Sequence, residues 1–253
     1  MMARIGAEDI NTLTLSILGK ADSYHRWIFQ EIKPYLQGGI LEAGCGIGHL
    51  TNWLLGEGKV LVADINKNYL QVVERKFKNH SNWMGGFVWD LQEDPPEDFL
   101  LSIHTIVCIN VLEHIKDDLS ILKRFYKLLP LRGRLVCLVP ALRWLYNPLD
   151  KELGHFRRYS KKELYEKLIL TRFRILTLRY FNLFGVVGWF LQGTVLRKRL
   201  LSSIQVEWFN RLVPLFISIE NRIPTWFGQS LIAVGEKSLE GGLNEAFGDH
   251  SGL

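Results

Sequence analysis

Residues 42–48, Glu-Ala-Gly-Cys-Gly-Ile-Gly, decide how this sequence folds. A short apolar run comes directly before them and apolar residues at helical spacing come directly after, so the glycines form the turn between a strand and a helix. Without Cβ atoms, such a turn lets the backbone approach a ligand closely. The dinucleotide fingerprint G-x-G-x-x-G is not met, because Gly48 comes one residue early and His49 takes the place of the last glycine.

Strands and helices alternate on both sides of this loop. The predicted helices include 68–78 and 117–129, and the predicted strands are 39–43, 59–65, 86–91, 103–110 and 134–139. Such alternation predicts a parallel, doubly wound α/β sheet that binds its ligand at the carboxyl ends of the strands. Beyond Pro140 the pattern changes to an irregular basic segment at 143–158, a helix at 161–170, and strands at 173–180 and 230–235.

Composition sets further limits. With 253 residues, 47% of them hydrophobic, the chain can form one large α/β domain with an insertion. Its three cysteines are odd in number and widely spaced, so they predict neither disulfides nor a zinc site, and we expect no metal. The polar start of the chain predicts a cytoplasmic protein.

The charge of the chain is unevenly distributed. The net charge is +5, yet residues 141–225 carry 15 Lys and Arg against 6 Asp and Glu. This region is either a plain solvated surface or a basic surface that attracts anionic lipid, a phosphorylated substrate or nucleic acid. Because no nucleic-acid-binding module is recognised, we expect no nucleic-acid partner.

The loop resembles the first motif of the class I S-adenosylmethionine-dependent methyltransferases, an acid-x-G-x-G-x-G sequence matched by Glu42, Gly44, Gly46 and Gly48. The resemblance implies a seven-stranded, mostly parallel, doubly wound sheet with an antiparallel last strand. It also implies that the loop packs against the methionine part of S-adenosylmethionine, whose ammonium and sulfonium groups favour an acid such as Glu42 nearby.

Further residues follow the ends of the next strands. Asp64 is placed to accept hydrogen bonds from the ribose hydroxyls, unless it is a surface turn acid. The resemblance implies adenine contacts for Asp90 and Leu91, with a strand-end cap as the alternative, and places the segment from Asn110 to His114 beside the methyl group. The predicted cofactor-binding residues are Glu42, Gly44, Cys45, Gly46, Gly48, Asp64, Ile65, Asp90, Leu91 and Asn110.

The acceptor side offers candidates for proton transfer and binding. A general base is needed only if the acceptor loses a proton, and the candidates are His155, His114 and Tyr146. The candidates for acceptor binding are Tyr24, Arg158 and Tyr159. Alternatively, His155, Arg158 and Tyr159 form a brace that leads into a helix with a Ser160–Glu163 capping box.

A closer resemblance extends from Tyr24-His25-Arg26-Trp27 through 154–160 to 230–235. It is to a bacterial methyltransferase group associated with glycosyltransferases and with surface-glycan or lipid-linked sugar pathways. This resemblance implies O-methylation of a sugar, a lipid-linked molecule or another amphiphilic small molecule.

An insertion separates the last two strands, which form a tight hairpin in most of the superfamily. The apolar stretch 181–196 is too short and too interrupted to span a bilayer. With Arg197-Lys198-Arg199 after it, it predicts an interfacial helix that acts as an acceptor lid and touches an anionic membrane, at the inner membrane face. A cover for the sheet edge or a dimer interface is the alternative.

These patterns divide the chain into four parts. They are a helical lead-in at 1–36, a Rossmann-like domain at 37–182 and 226–238, the helical insertion at 183–225, and a polar tail at 239–253 expected to be disordered.

Two alternatives to a methyltransferase stay open. One is a nicotinamide-dependent oxidoreductase, and the other is a membrane-associated S-adenosylmethionine-binding protein without catalysis.

Overall fold

The computed structural model describes residues 17, 19–96, 102–200, 202–223 and 225–239. Most of the lead-in before residue 19 and nearly all of the predicted tail at 239–253 therefore lie outside the described residues. The described part contains a seven-stranded sheet in the order β3-β2-β1-β4-β5-β7-β6. Neighbouring strands are parallel except that β7 runs antiparallel to both β5 and β6. The predicted fold class, with its antiparallel last strand, is confirmed.

The elements follow the predicted alternation closely. The strands are β1 (Gly39–Ala43), β2 (Val60–Asp64), β3 (Trp83–Val88), β4 (Ile103–Ile109), β5 (Arg134–Pro140), β6 (Phe173–Phe181) and β7 (Ser230–Lys237). The α-helices are α1 (Asp22–Ile32), α2 (Thr51–Leu54), α3 (Lys67–Phe77), α4 (Asp118–Leu128), α5 (Pro148–Glu152), α6 (Lys161–Leu170), α7 (Leu183–Trp189) and α8 (Ser203–Glu220). A π-helix, Phe190–Val195, continues α7.

The sheet separates two apolar layers. Strands β2 and β5 are buried along almost their whole length, as expected for parallel strands covered by helices on both faces. One layer packs α4 and α6 against the sheet around Phe125, and the other packs α1 and α8 around Trp27 and Val213. The N-terminal helix and the insertion therefore cover the same face of the sheet.

The edge strand β3 begins earlier than predicted. It covers Trp83–Val88 rather than 86–91, so Asp90 and Leu91 lie in the loop after it. The sequence-based range begins at Gly86 and leaves Gly85 outside the strand. In the structure Gly85 has a φ of 123° and the register with β2 shifts near this end, so the glycines form an irregularity inside an edge strand.

Two other segments are more regular than predicted. The segment at 143–158, predicted to be irregular, contains α5, which begins with a capping box between Asn147 and Asp150. After residue 200 the sequence shows two amphipathic helical patterns, and in the structure they form a single helix, α8, which Ser202 and Gln205 cap. Among the described residues, no helix has both the length and the apolar character needed to cross a bilayer.

A buried carboxylate joins α4 to the segment before α6. Asp118, in the first turn of α4, accepts hydrogen bonds from the Tyr159 hydroxyl at 2.6 Å and from Lys167 Nζ at 2.5 Å. Both Asp118 and Tyr159 are buried. Tyr159, which the sequence predicts to bind the acceptor, therefore has its hydroxyl taken up by this structural contact.

Tyr159→Phe should lower the stability of the fold. The substitution removes a hydrogen bond to a buried carboxylate, so we expect the free energy of unfolding to fall by about 1–3 kcal/mol. Urea unfolding measures the change. The matched control Tyr165→Phe, at a more exposed position on α6, should change it by less than about 0.5 kcal/mol. Equal losses for the two variants would contradict the structural role of Tyr159.

Candidate functional site

One large cavity lies at the carboxyl ends of the strands. Its volume is about 1330 Å³, and it is bordered by residues at the ends of β1, β2, β4 and β5. The opposite wall comes from the insertion, including Trp189 and Phe209. The chain adds strands outward on one side of β1 and then, starting with β4, on its other side. Such a reversal is where open α/β sheets bind their ligands.

The glycine loop forms one edge of this cavity. Gly44, Gly46 and Gly48 have φ values of 84°, 52° and 83°, in the left-handed region that favours glycine. A Cβ atom on Gly44 would lie 2.3 Å from Val111 Cγ2, in the segment after β4. The loop can therefore approach that segment only because residue 44 has no side chain.

Glu42 is buried beneath the loop. Its Oε2 accepts a hydrogen bond from the Thr51 hydroxyl at 2.5 Å, and the residue borders the cavity. Burial raises the pKa of the Glu42 carboxyl to about 8, and the nearby Asp64 adds to the rise, although the bond from Thr51 opposes it. At neutral pH the carboxyl is therefore mostly protonated, and a cation beside it would favour the charged form.

Asp64 ends β2 and holds the loop in place. Its two carboxylate oxygens accept hydrogen bonds from the backbone N–H groups of Gly46 and Asn66, each at 2.8 Å. Burial raises the pKa of this carboxyl, although these backbone bonds oppose the rise. Each oxygen keeps lone-pair capacity for a further donor from the cavity.

The other predicted cofactor residues lie mainly along the same edge. Asp90 Oδ1 accepts from the backbone N–H of Gln92 at 2.9 Å, so its side chain also caps the turn after β3, the alternative left open by the sequence. Gly48 borders a separate, smaller groove instead of the cavity. The predicted residues that do border the cavity are Glu42, Gly44, Cys45, Gly46, Asp64, Ile65, Asp90, Leu91 and Asn110.

A second polar group faces the cavity beyond β4. Glu113, His114 and His155, here called the Glu113 cluster, bring one possible ligand atom each to within 4.8 Å of one another. His155 Nε2 lies 3.9 Å from Glu113 Oε1, and the rings of the two histidines meet edge to face at 4.8 Å. The sequence predicts no metal here and does not single out Glu113 as a site residue.

Neither carboxylate oxygen of Glu113 accepts a hydrogen bond from another residue that the structure describes, although both are buried. Burial raises the pKa of this carboxyl to about 7, and the charge of His155 offsets only part of the rise. An unsatisfied buried carboxylate is costly, so this group is suited to a ligand that supplies a donor or a positive charge.

Asp150 orients His155, one member of the cluster. Its Oδ1 accepts from Arg158 Nε at 2.8 Å and lies 2.9 Å from His155 Nδ1, while its Oδ2 accepts from the Trp189 indole N–H at 3.1 Å. Burial raises the pKa of the Asp150 carboxyl, but the bonds from His155 and Arg158 outweigh it and keep the pKa below the usual range. Arg158 is buried and committed to this pair, as in the bracing alternative, although it borders the cavity.

Of the remaining candidate residues, some border the cavity and others make structural contacts outside it. Tyr24 borders the cavity, and burial raises the pKa of its phenol to about 12. Tyr146 does not border it, and its hydroxyl donates to the His155 carbonyl at 2.9 Å. The capping box predicted for α6 is half formed: Ser160 accepts from the Glu163 N–H, but the Glu163 carboxylate pairs with Arg143.

Several cavity residues were missed in the sequence. His25 and His49 stack at 4.8 Å, and burial together with the neighbouring ring lowers the pKa of His25 to about 4. Gln192 and Gln205 join the two helices of the insertion by a hydrogen bond of 2.7 Å. His49 directly follows the glycine loop, a signal that could have pointed to it, whereas the others depend on long-range packing.

Sequence comparison connects this site with methyltransferases. Residues 41–135, less than half of the chain, match the profile of a family described as a methyltransferase domain. Ribosomal RNA small subunit methyltransferase A of Mesomycoplasma hyopneumoniae strain 232 is 49% identical to this chain over 41 residues. That alignment covers 16% of each protein, so the chain matches only a small part of the relative's length.

Solved structures extend the likeness to most of the chain. An S-adenosylmethionine-dependent methyltransferase from Mesorhizobium loti has a TM-score of 0.56 at 14% identity, covering 82% of this chain and 96% of that one. The N-methyltransferase NodS from Bradyrhizobium japonicum WM9, in complex with S-adenosyl-L-homocysteine, has a TM-score of 0.55 at 14% identity and covers 84% and 85%. The fold is that of the class I S-adenosylmethionine-dependent methyltransferases. S-adenosylmethionine is accordingly the cofactor that these comparisons support.

Binding of S-adenosyl-L-homocysteine to this methyltransferase fold should release a proton. Glu42 is mostly protonated at pH 7, and the ammonium group of the bound molecule favours its carboxylate, so release at pH 7 should approach one proton. Calorimetry in two buffers of different ionisation enthalpy measures it. The release should be smaller at pH 9, where Glu42 is already ionised, and should disappear in Glu42→Gln. Equal release in wild type and variant would contradict this account.

Proposed function

We propose that this protein transfers a methyl group from S-adenosylmethionine to a hydroxyl oxygen of an amphiphilic small molecule, such as a sugar or a lipid-linked sugar. The observation that carries the proposal is that one cavity joins the glycine loop to the Glu113 cluster. Methyl transfer requires a donor and an acceptor to be held in one water-poor space, and much of its rate comes from their orientation.

The loop end of the cavity fits the cofactor. The glycines form a cradle that side chains would fill, Glu42 offers a carboxyl for a cationic group, and Asp64 offers acceptor oxygens for ribose hydroxyls. Asp90 and Leu91 border the adenine end. When bound, S-adenosylmethionine supplies an activated methyl group: the acceptor oxygen forms the new C–O bond, the C–S pair stays on sulfur, and the hydroxyl proton is released.

The other end of the cavity fits an acceptor with both polar and apolar parts. The Glu113 cluster supplies hydrogen-bonding groups, with His155 and His114 as the candidates for handling the hydroxyl proton. Trp189, Trp208 and Phe209 of the insertion add apolar surface. Tyr146 has no place in this scheme, because its hydroxyl is bound to the His155 carbonyl outside the cavity.

The insertion supports an acceptor at a membrane surface. Exposed apolar side chains repeat at helical spacing on α8, at Ile204, Trp208, Leu212 and Leu215, and we call these four the apolar stripe. Trp208 also borders the cavity, so the apolar stripe reaches the wall of the binding site. Exposed Arg197, Lys198 and Arg199 precede α8, and together they suit an anionic lipid surface.

A labelled-methyl assay tests the activity and the acceptor together. Purified protein and S-adenosylmethionine labelled in the methyl group are incubated with bacterial extract divided into lipid, small-molecule aqueous and RNA fractions. We expect label in the lipid fraction and less than a tenth of it with Asp64→Ala. Label in RNA alone would replace the proposed acceptor with the substrate class of the ribosomal RNA relative, and no label in any fraction would contradict the proposal.

Vesicle sedimentation tests the membrane contact separately. The double substitution Ile204→Ser and Leu215→Ser should reduce binding to anionic phosphatidylglycerol vesicles by at least tenfold, because it removes apolar area from the surface. The control is Leu131→Ser with Leu170→Ser, which removes exposed leucines just before β5 and at the end of α6, outside the insertion. If both double variants sediment like the wild type, the apolar stripe does not bind membranes.

A further inference from the structure

The Glu113 cluster has the composition and spacing of a metal site. It contains two imidazoles and one carboxylate, and the three ligand atoms lie within 4.8 Å of one another. Around a cation bound at about 2.0–2.2 Å, ligand atoms lie roughly 3–3.5 Å apart, so small side-chain rotations would bring these three into place. The residues come from two segments, one after β4 and one after α5, that meet only in the folded protein.

The carboxylate of Glu113 has no hydrogen-bond partner among the described residues, and His155 Nε2 lies 3.9 Å away, beyond hydrogen-bond distance. The side chain of Glu113 is fully buried. Asp150, the neighbouring buried carboxylate, is by contrast neutralised by Arg158 at 2.8 Å. A cation at the Glu113 cluster would satisfy the group that the protein leaves unsatisfied.

The histidines are supported as metal-binding histidines are. Nδ1 of His155 lies 2.9 Å from Asp150 Oδ1, which fixes the ring and leaves Nε2 directed toward Glu113. Nδ1 of His114 faces the backbone at Gly154, in the segment that carries His155. Metal-ligating histidines almost always donate their other ring N–H to a carboxylate, a backbone carbonyl or water, which sets the tautomer and orientation.

We propose that Glu113, His114 and His155 bind one divalent transition-metal cation, and that this cation holds the acceptor hydroxyl beside the methyl donor. The second part of this statement rests on the proposed methyl transfer. Two imidazoles with a carboxylate favour Zn²⁺, Fe²⁺ or Mn²⁺ over Mg²⁺, which prefers oxygen ligands and water. Three protein ligands leave coordination positions open on the cavity side.

A cation at this position would activate the acceptor. It lowers the pKa of a bound hydroxyl, so the proton leaves to solvent and the oxygen keeps its electron pair. That pair forms the bond to the methyl carbon, while the pair of the broken C–S bond stays on sulfur. His114 and His155 then position the acceptor through the cation instead of taking the proton themselves.

Calorimetric titration of the chelator-treated full-length protein with ZnCl₂ tests the site without requiring activity. We expect one equivalent to bind, with MgCl₂ at least tenfold weaker. Glu113→Gln and His155→Gln should each weaken Zn²⁺ binding at least tenfold. The matched control His104→Gln, at an exposed histidine near the start of β4, should bind like the wild type. No binding, or equal binding by all variants, would overturn the inference.

Binding of S-adenosyl-L-homocysteine by the same variants separates this inference from the proposed function. Glu113→Gln and His155→Gln should keep the wild-type affinity, which also shows that they are folded. If chelation leaves methyl transfer unchanged, the role of the cation is wrong while the proposed function stands. If Zn²⁺ binds as expected but no methyl transfer occurs with any metal, the site is real and the proposed function fails.

Discussion

The absence of a side chain at Gly44 is the constraint on which the site depends. Strands β1 and β4 are neighbours, and the segments that follow them would collide if residue 44 carried a Cβ atom, which would lie 2.3 Å from Val111. With glycine at this position, the loop turns early enough for the N–H of Gly46 to reach Asp64 at 2.8 Å. This bond ties the end of β1 to the end of β2. The cavity edge, the position of Glu42 under the loop and the exposure of Asp64 to the cavity all follow from that turn.

Two buried acids whose pKa values are raised by burial explain what the cavity is suited to bind. Burial raises the pKa of Glu42 to about 8 and that of Glu113 to about 7, so near pH 7 Glu42 is mostly protonated and Glu113 about half protonated, and both would gain from a nearby positive charge. At the loop end, the ammonium and sulfonium groups of S-adenosylmethionine supply such a charge. At the other end, the proposed metal cation supplies it. Asp150 shows the opposite arrangement, because Arg158 neutralises it inside the protein and it is free to orient His155.

Local patterns in the sequence predicted the parts of this site that lie next to a strand end. The glycine loop, Asp64 and Asn110 follow apolar strands directly, and parallel strands place their carboxyl ends at one edge. The sequence singled out His114 and His155 as candidates but could not predict that they meet Glu113, because His155 comes from a segment that looked irregular and is ordered by Asp150 and Arg158. The contact between Tyr159 and Asp118 could not be predicted for a related reason, because Asp118 lies on α4 and no local sequence pattern indicates the contact.

Calorimetric titration with S-adenosyl-L-homocysteine of wild type, Asp64→Ala and Glu74→Ala tests the central claim most directly. Asp64 borders the cavity, whereas Glu74 is an exposed carboxylate on α3 that does not. Loss of charge-assisted hydrogen bonds worth about 1.5–3 kcal/mol should raise the dissociation constant of Asp64→Ala by at least tenfold. Glu74→Ala should bind like the wild type. Equal affinity in all three proteins would contradict the assignment of this strand edge as the cofactor site.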